Sequence, residues 1–390
     1  MLKGYIDVAT AETLAGWVAD TSNLTSSVNI LVHVNGALAV SCACNIFRQD
    51  VFDAIGSGNH GFSFGLETYL RPGENSVSVE VEDSQFEFSN REFVITHLDT
   101  PQMVETGKTD WLFLKNDSNK TNEIIEGNLP LDEQMRTQLV RIFFYRELIS
   151  KHYNTKFLQV IVPEKNVICN TQKNPPLTIS NNRPSIQLMQ DLDEASQRHT
   201  IYPIREFTEH STPCDLFYKT DTHLSASGRI FLMDVILGEL GLERDFDYSL
   251  VPETFTGDLG GKFRPPITEA AFGIKTSMQH DCIHDTVSAN LKSGGHLTGS
   301  VLYSQANTSR KSGRLYVYGT SSAYYLRGLL QAQFEEVLFV WSTALDQSII
   351  KTFQPDFVLG ILTERFLRGV PNDLAIETAL NFATKYNLSS

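Results

Sequence analysis

Cysteine is scarce in this chain and falls into no pattern. The five cysteines among 390 residues are Cys42, Cys44, Cys169, Cys214 and Cys282, and no C-x-x-C occurs. Cys42 and Cys44 lie two apart in a strand-like run, so they share a face and are not placed to bridge each other. An odd, scattered set fits a reduced compartment rather than a secreted disulfide scaffold. Positive charge is short as well: 32 lysines and arginines stand against 46 acids, a net charge of −14. With no basic run, that balance argues against a general binder of nucleic acid or of anionic membranes. No apolar run reaches the length of a bilayer span. The start, Met1-Leu2-Lys3-Gly4-Tyr5-Ile6-Asp7, enters a strand pattern directly and lacks the apolar stretch of a signal peptide. The expected location is cytoplasmic, or periplasmic where a leader has been removed.

Internal repeats and low-complexity tracts are missing too. What remains is the content of an ordinary globular protein, 41% hydrophobic and 20% charged, at a length that predicts two domains. Residues 1–97 read as an all-β module. Strands are expected over Leu2–Val8, Leu14–Val18, Ser27–Val34, Ala37–Cys44, Gly61–Leu66, Asn75–Val81 and Gln85–Phe88. Asn35-Gly36 between two alternating runs predicts a tight hairpin, because both central residues of a type I′ turn need positive φ. Further turns are expected at Asp20–Ser26, Gly56–Asn59 and Arg71-Pro72-Gly73. Short strands at this spacing predict a small sandwich.

A polar connection, Asp99–Glu105 with Pro101, marks the expected boundary. The second domain, 105–390, alternates helix and strand. Helices are expected over Leu131–His152, Pro184–His199, Ser225–Leu242, Tyr324–Phe334 and Asp346–Phe353, the third stopped by Gly241. Strands are expected over Phe157–Val162, Leu315–Tyr318, Glu336–Trp341 and Asp356–Leu362. That alternation predicts an α/β fold, a parallel sheet covered by helices, with its pocket at the carboxyl ends of the strands.

Ser321 falls at such an end, in Tyr316-Val317-Tyr318-Gly319-Thr320-Ser321-Ser322-Ala323. A strand-to-helix turn lifts a hydroxyl out of the sheet and sets it beside free backbone N–H groups. Taken alone the segment reads better as a helix cap, since Ser and Thr are ordinary N-caps. A serine also needs an imidazole to take its proton, and the imidazole needs an acceptor at its other nitrogen. Tyr218-Lys219-Thr220-Asp221-Thr222-His223 supplies both groups in a turn before a helix, although one Asp-x-His is unspecific.

Other clusters carry less. His280-Asp281-Cys282-Ile283-His284-Asp285 sets two histidines four apart, but its flanks make no helix and no third ligand is indicated. It reads as a solvated connection, and no metal is expected. The loop Gly257–Pro266 begins Gly257-Asp258-Leu259-Gly260-Gly261-Lys262, which lacks the ending of a phosphate loop. Glu364-Arg365 reads as a structural ion pair, with Arg365 a candidate to touch a substrate anion.

Several segments taken in order give a more specific signal. They are Gly107-Lys108-Thr109-Asp110-Trp111-Leu112-Phe113-Leu114 with Asn116-Asp117-Ser118-Asn119; Val162-Pro163-Glu164-Lys165; the Asp221–His223 turn with Gly228; Gly257-Asp258-Leu259; Gly319-Thr320-Ser321-Ser322; and Pro355-Asp356-Phe357-Val358 with Glu364-Arg365-Phe366-Leu367. In this order they resemble the SGNH-hydrolase-like O-acetyltransferases of the alginate type, the AlgX/AlgJ family, over most of 105–390. The first domain resembles a small β-module found beside bacterial glycosyltransferases. It carries Gly4-Tyr5-Ile6-Asp7, Ala15-Gly16-Trp17-Val18-Ala19-Asp20, Arg48-Gln49-Asp50-Val51 and His60-Gly61-Phe62-Ser63-Phe64.

The resemblance implies a circularly permuted SGNH arrangement with Ser321 as nucleophile, His223 as base and Asp221 as orienting acid. Gly257 is then a candidate second oxyanion donor. Thr320, Ser322 and Leu224 stand where the family has Asp, Phe and Trp, so Ser321 and Ser322 both remain candidates to attack. The implied reaction is acetyl transfer to a hydroxyl of a bacterial polysaccharide or its precursor, with no tightly bound cofactor and acetyl-CoA the simplest donor. The alternatives are a carbohydrate acetylesterase using the same triad, and a non-catalytic glycan-binding protein on the same scaffold. For the β-module, a structural role is favoured over carbohydrate binding, because the sequence reveals no exposed aromatic platform.

Overall fold

The computed structural model describes residues 1–71, 73–97, 102–115, 117–263, 266–277, 280–293, 297–307 and 312–373. Pro72 of the expected Arg71–Gly73 turn, Leu98, residues 99–101 of the expected connection, Asn116, and residues 264 and 265 of the Gly257–Pro266 loop lie outside them. The chain divides into two units, Met1–Pro101 and Gln102–Ser390.

In the first unit, alternating apolar and polar residues build two antiparallel four-stranded sheets. Its elements are β1 (Leu2–Ala9), β2 (Leu14–Asp20), β3 (Asn29–Val34), β4 (Ala37–Ala43), β5 (Ile46–Phe47), α1 (Gln49–Ile55), β6 (Asn59–Phe64), β7 (Gly73–Val81) and β8 (Glu92–His97). The strand orders are β1-β2-β6-β5 and β4-β3-β7-β8. Ile6, Val18 and Phe62 from one sheet share a core with Ile30, Val32, Val77 and Val79 from the other, which makes a sandwich. Asn35 (φ 51°) and Gly36 (φ 80°) turn β3 into β4.

Two expectations need correction here. Gln49–Ile55 is a helix, not part of an all-β run; it buries Val51 and ends at Gly56, whose φ of 80° suits glycine. Gln85–Phe88 is not a strand. Asp83 turns the chain at φ 54°, Phe86 and Phe88 pack edge to face with centroids 5.3 Å apart, and β8 takes the pairing with β7 instead. Phe47 and Phe52 stand exposed on this unit with ring centroids 6.2 Å apart.

The second unit contains β9 (Val104–Thr106), β10 (Leu112–Leu114), α2 (Thr121–Ile125), α3 (Glu133–His152), β11 (Lys156–Val162), α4 (Lys165–Ile168), α5 (Pro184–Asp191), α6 (Glu194–Gln197), β12 (Thr200–Ile201), α7 (Ile204–Thr208) and α8 (Ala226–Leu240). There follow β13 (Tyr248–Phe255), β14 (Glu269–Thr276), β15 (His280–Asp285), α9 (Thr286–Ser293), β16 (Val301–Ala306), β17 (Arg314–Gly319), α10 (Ser321–Gln333), β18 (Glu336–Trp341), α11 (Gln347–Phe353) and β19 (Phe357–Thr363). Seven strands form one sheet in the order β12-β11-β19-β17-β18-β16-β15. The first five run parallel.

The last two are antiparallel, so the sheet is mixed rather than wholly parallel. His280–Asp285, expected as a solvated connection, is the edge strand β15; a bulge between Cys282 and His284 breaks its register. β13 and β14 form a separate antiparallel ribbon.

The centre of the sheet is buried on both faces, which explains its unbroken apolar strands. Leu315 and Val317 of β17 pack with Leu232 and Ile236 of α8 and Leu326 and Leu330 of α10. Tyr316 and Tyr318, pointing the other way, pack with Ile349, Ile350 and Phe353 of α11. The expected helix Pro184–His199 is broken in two, because Asp193 caps α6 by accepting from the Ser196 N–H at 2.8 Å. Among the described residues, no helix is long and apolar enough to cross a membrane.

Candidate active site

β17 ends at Gly319 and α10 begins at Ser321, three residues before the expected start of that helix. The turn between them is very close. A Cβ on Gly319 would lie 2.2 Å from the Ile361 carbonyl of β19 and 2.6 Å from the Ala323 Cβ, so only glycine fits. Thr320 is the N-cap, yet its side chain makes no capping bond. A serine at the first helical position therefore sits among N–H groups that the helix itself does not use.

The other half comes from the loop between Leu216 and α8, where Ser225 caps the helix by accepting from the Gly228 N–H at 3.2 Å. His223 Nε2 lies 2.7 Å from Ser321 Oγ, and His223 Nδ1 lies 2.6 Å from Asp221 Oδ1. The His223 backbone N–H also donates to Asp221 Oδ1, at 2.7 Å. Asp221 is 3% exposed. Burial pushes its carboxyl up, but the bonds from His223 and the Asp258 N–H outweigh burial and hold it below the ordinary carboxylate range.

Such a buried turn must have its backbone groups satisfied. Lys165, itself buried, donates through Nζ to the carbonyls of Leu112 (2.7 Å), Lys219 (2.9 Å) and Asp221 (2.8 Å). Burial pushes this ammonium down to about 8. Glu269, at the start of β14, accepts from the N–H groups of Lys219 (3.0 Å) and Thr220 (2.7 Å). The segment between β13 and β14 closes the other side: the Asp258 N–H donates to Asp221 Oδ2 at 2.8 Å, and the Asp258 carboxylate accepts from Thr222. Tyr325, one helical turn beyond Ser321, lays its half-exposed ring beside His223 with centroids 4.6 Å apart.

The remaining expected site residues fall elsewhere. Ser322 Oγ pairs with Thr363 Oγ1 at 2.7 Å, so of the two serines it is Ser321 that meets His223. The Gly257 N–H donates to Thr220 Oγ1 at 3.1 Å and is not a free oxyanion donor. Its lack of a side chain serves packing instead, since a Cβ would meet the Thr220 carbonyl at 2.1 Å. Arg365 is 7% exposed and pairs with Glu164 at 2.8 Å. It is thus spent within the protein, and its partner is not the neighbouring Glu364. Glu364 instead pairs with Arg183 at 3.1 Å and accepts from Tyr202.

Asp221, His223 and Asp258 bring one possible metal-ligand atom each within 4.8 Å of one another. Those atoms are already matched as hydrogen-bond donors and acceptors, with His223 Nδ1 on Asp221 and Asp258 on Thr222. The set fits a proton-transfer chain better than a coordination shell. A cavity of about 430 Å³ lies at the opposite end of the parallel strands, lined by Thr155, Lys156 and Phe157 at the amino end of β11 and by Leu240; it takes no part in this site.

Sequence reasoning did not single out Lys165, Asp258, Glu269 or Tyr325. Lys165 and Asp258 lay inside segments already noticed as motifs, and Tyr325 shares a helix face with Ser321 by its four-residue spacing. Glu269 gave no signal.

No family model and no curated protein matches the chain. Solved structures similar to it at low identity include the following three. Bacillus cereus PatB1 has a TM-score of 0.46 and 12% identity, covering 68% of this chain and 96% of that one. A DHHW family protein from Eubacterium siraeum has a TM-score of 0.42 and 11% identity, with 82% and 97% covered. The O-acetyltransferase domain of Pseudomonas putida AlgJ has a TM-score of 0.42 and 15% identity, with 73% and 99% covered.

Proposed function

We propose that the second unit is an O-acetyltransferase that acetylates a hydroxyl of a bacterial polysaccharide or its precursor through an acetyl-serine intermediate. The observation that carries this reading is the unbroken chain from Ser321 Oγ to His223 to Asp221, with links of 2.7 and 2.6 Å. Ser321 Oγ attacks the carbonyl carbon of an activated acetyl donor, with acetyl-CoA the simplest, while His223 Nε2 takes the serine proton. Asp221 holds the ring in the required tautomer and stabilises the imidazolium. The N–H groups at the start of α10, Ser321's own among them, face the developing oxyanion; each such donor contributes about 3 kcal/mol. His223 returns its proton to the leaving group as the bond between donor and acetyl carbon breaks. It then takes a proton from the sugar hydroxyl, the sugar oxygen bonds to the acetyl carbon as the Ser321 Oγ–acetyl bond breaks, and the proton passes back to Ser321 Oγ.

The test is incubation with an activated acetyl ester, with and without a panel of bacterial glycans. Acetylated glycan supports the transferase. Ester hydrolysis that no glycan alters identifies an acetylesterase, and no turnover of either kind a non-catalytic scaffold. For the first unit, the exposed Phe47–Phe52 pair supports a glycan-binding role. Glycan affinity unchanged when both rings are replaced by serine rejects the pair as a binding site, and no affinity in the unsubstituted chain rejects the role.

A further inference from the structure

A second carboxylate approaches the imidazole on the side that Asp221 already occupies. Asp258 lies in the segment joining β13 to β14, and its Oδ2 is 3.9 Å from His223 Nδ1. Both its oxygens are tied to the residue between the acid and the base. Thr222 N donates to Oδ1 at 2.8 Å, and Thr222 Oγ1 donates to Oδ2 at 2.6 Å. The Asp258 N–H donates in turn to Asp221 Oδ2 at 2.8 Å. Asp221, Thr222 and Asp258 thus close a ring of hydrogen bonds around the root of the His223 side chain. The Gly257 close approach is what allows the segment to reach so far in.

We infer that Asp258 is a positioning residue of the candidate active site: it locks the Asp221–His223 turn through Thr222, and its charge stabilises the imidazolium formed when His223 takes the Ser321 proton. The inference rests on the Ser321–His223–Asp221 reading above. Crowding against Asp221 costs Asp258 something, since partial burial and then the neighbouring negative charge push its carboxyl upward. A residue that only capped Thr222 would gain nothing from sitting there as an acid. The other ionisable groups packed around this turn are Lys165 from α4, Glu269 from β14 and Tyr325 from α10.

The test follows the labelling rate with a fluorophosphonate across pH, which needs no knowledge of the natural substrate. In that reaction the Ser321 Oγ–P bond forms as the P–F bond breaks, fluoride leaves with the electron pair, and the serine proton passes to His223 Nε2. Asp258→Asn keeps the shape and removes the charge: its Oδ1 still accepts from the Thr222 N–H, and its Nδ2 now donates to Thr222 Oγ1, reversing that bond. Its labelling plateau is expected to fall a fewfold, as the imidazolium loses that charge, while the acid limb moves to lower pH by roughly one unit. Asp258→Ala loses the contacts as well, and its plateau falls further. Thr222→Val frees Asp258 Oδ2 from its hydroxyl donor and is expected to move the limb the other way.

Imidazole NMR titration of His223 in Ser321→Ala, with and without Asp258→Asn, reads the same displacement without labelling. A limb and a titration unmoved by Asp258→Asn overturn the inference. If Ser321→Ala abolishes labelling at the same time, the reading of the nucleophile stands and only the role of Asp258 falls. Labelling that survives Ser321→Ala overturns both.

Discussion

Lys165 Nζ lies 2.8 Å from the carbonyl oxygen of Asp221, so a buried ammonium just beyond β11 holds the backbone of the residue that orients His223. The same ammonium holds the carbonyls of Leu112 and Lys219. Lys165→Met fills the space but leaves the buried carbonyls of Leu112 and Asp221 without a donor, at about 1–3 kcal/mol each; the Lys219 carbonyl keeps the Leu112 N–H at 3.0 Å. A fall of at least about 2 kcal/mol in unfolding free energy is expected, with labelling of Ser321 lost before global unfolding. Urea denaturation followed by circular dichroism, run beside fluorophosphonate labelling, measures both. Unchanged labelling at low urea would show that the turn does not depend on Lys165.

The two adjacent serines are expected to separate cleanly. Ser321→Ala removes the only hydroxyl bonded to His223 Nε2 among the described residues, and turnover of an activated acetyl ester should drop by about 10³-fold or more. Ser322→Ala removes one hydrogen bond, to Thr363. It should cost about 1 kcal/mol of stability and leave turnover within a fewfold of wild type. Equal losses in the two variants would contradict this division of labour.

Arg365 is expected to matter for stability rather than for substrate affinity. Its removal strands the buried Glu164 carboxylate, a change of about 3–5 kcal/mol. Arg365→Met should lower the melting temperature by many degrees while KM for an acetyl ester, measured below that temperature, stays as it was. A raised KM with an unchanged melting temperature would return Arg365 to the substrate.

Glu364 gives a prediction with a sign. Burial pushes its carboxyl up to about 7 from an ordinary 4.5, against the opposing pull of Arg183. The folded state therefore holds a proton that the unfolded state has already released between those values. Stability from this group is complete below about pH 4.5 and is lost as pH rises through 7, a change of about 3 kcal/mol across the window. Glu364→Gln should flatten that part of the stability profile. An identical slope in the variant would show that other groups set it.

How far the sequence reached depends on whether each feature is local. The Asn35-Gly36 turn, the Gly241 stop and the apolar run of β17 were all readable, because each follows from a few neighbouring residues. The Asp221–His223 pair was readable as a possibility, and Ser321 as its partner only through the order of several segments. Pairings between distant loops were not readable. Nothing near Arg365 announces Glu164 as its partner, and nothing near Gly257 shows that its N–H is spent on Thr220. The helix α1 was lost among strand signals because its seven residues bury little more than Val51. The antiparallel edge was missed because β15, a run of His, Asp and Cys, carries almost no apolar alternation.

The order of the seven-stranded sheet also sets a schedule for synthesis. Every residue of β11 pairs with β19, the last strand of the described chain. A ribosome that has released β11 must still make α8, the β13–β14 ribbon and β17 before that partner emerges. The N-terminal sandwich closes entirely within its own sequence and can be finished long before. Until then β11 waits as an open, strongly apolar strand edge, the kind of intermediate that draws chaperones or aggregates. Stalled or truncated translation products of this chain are therefore expected to be one folded sandwich trailing an insoluble remainder.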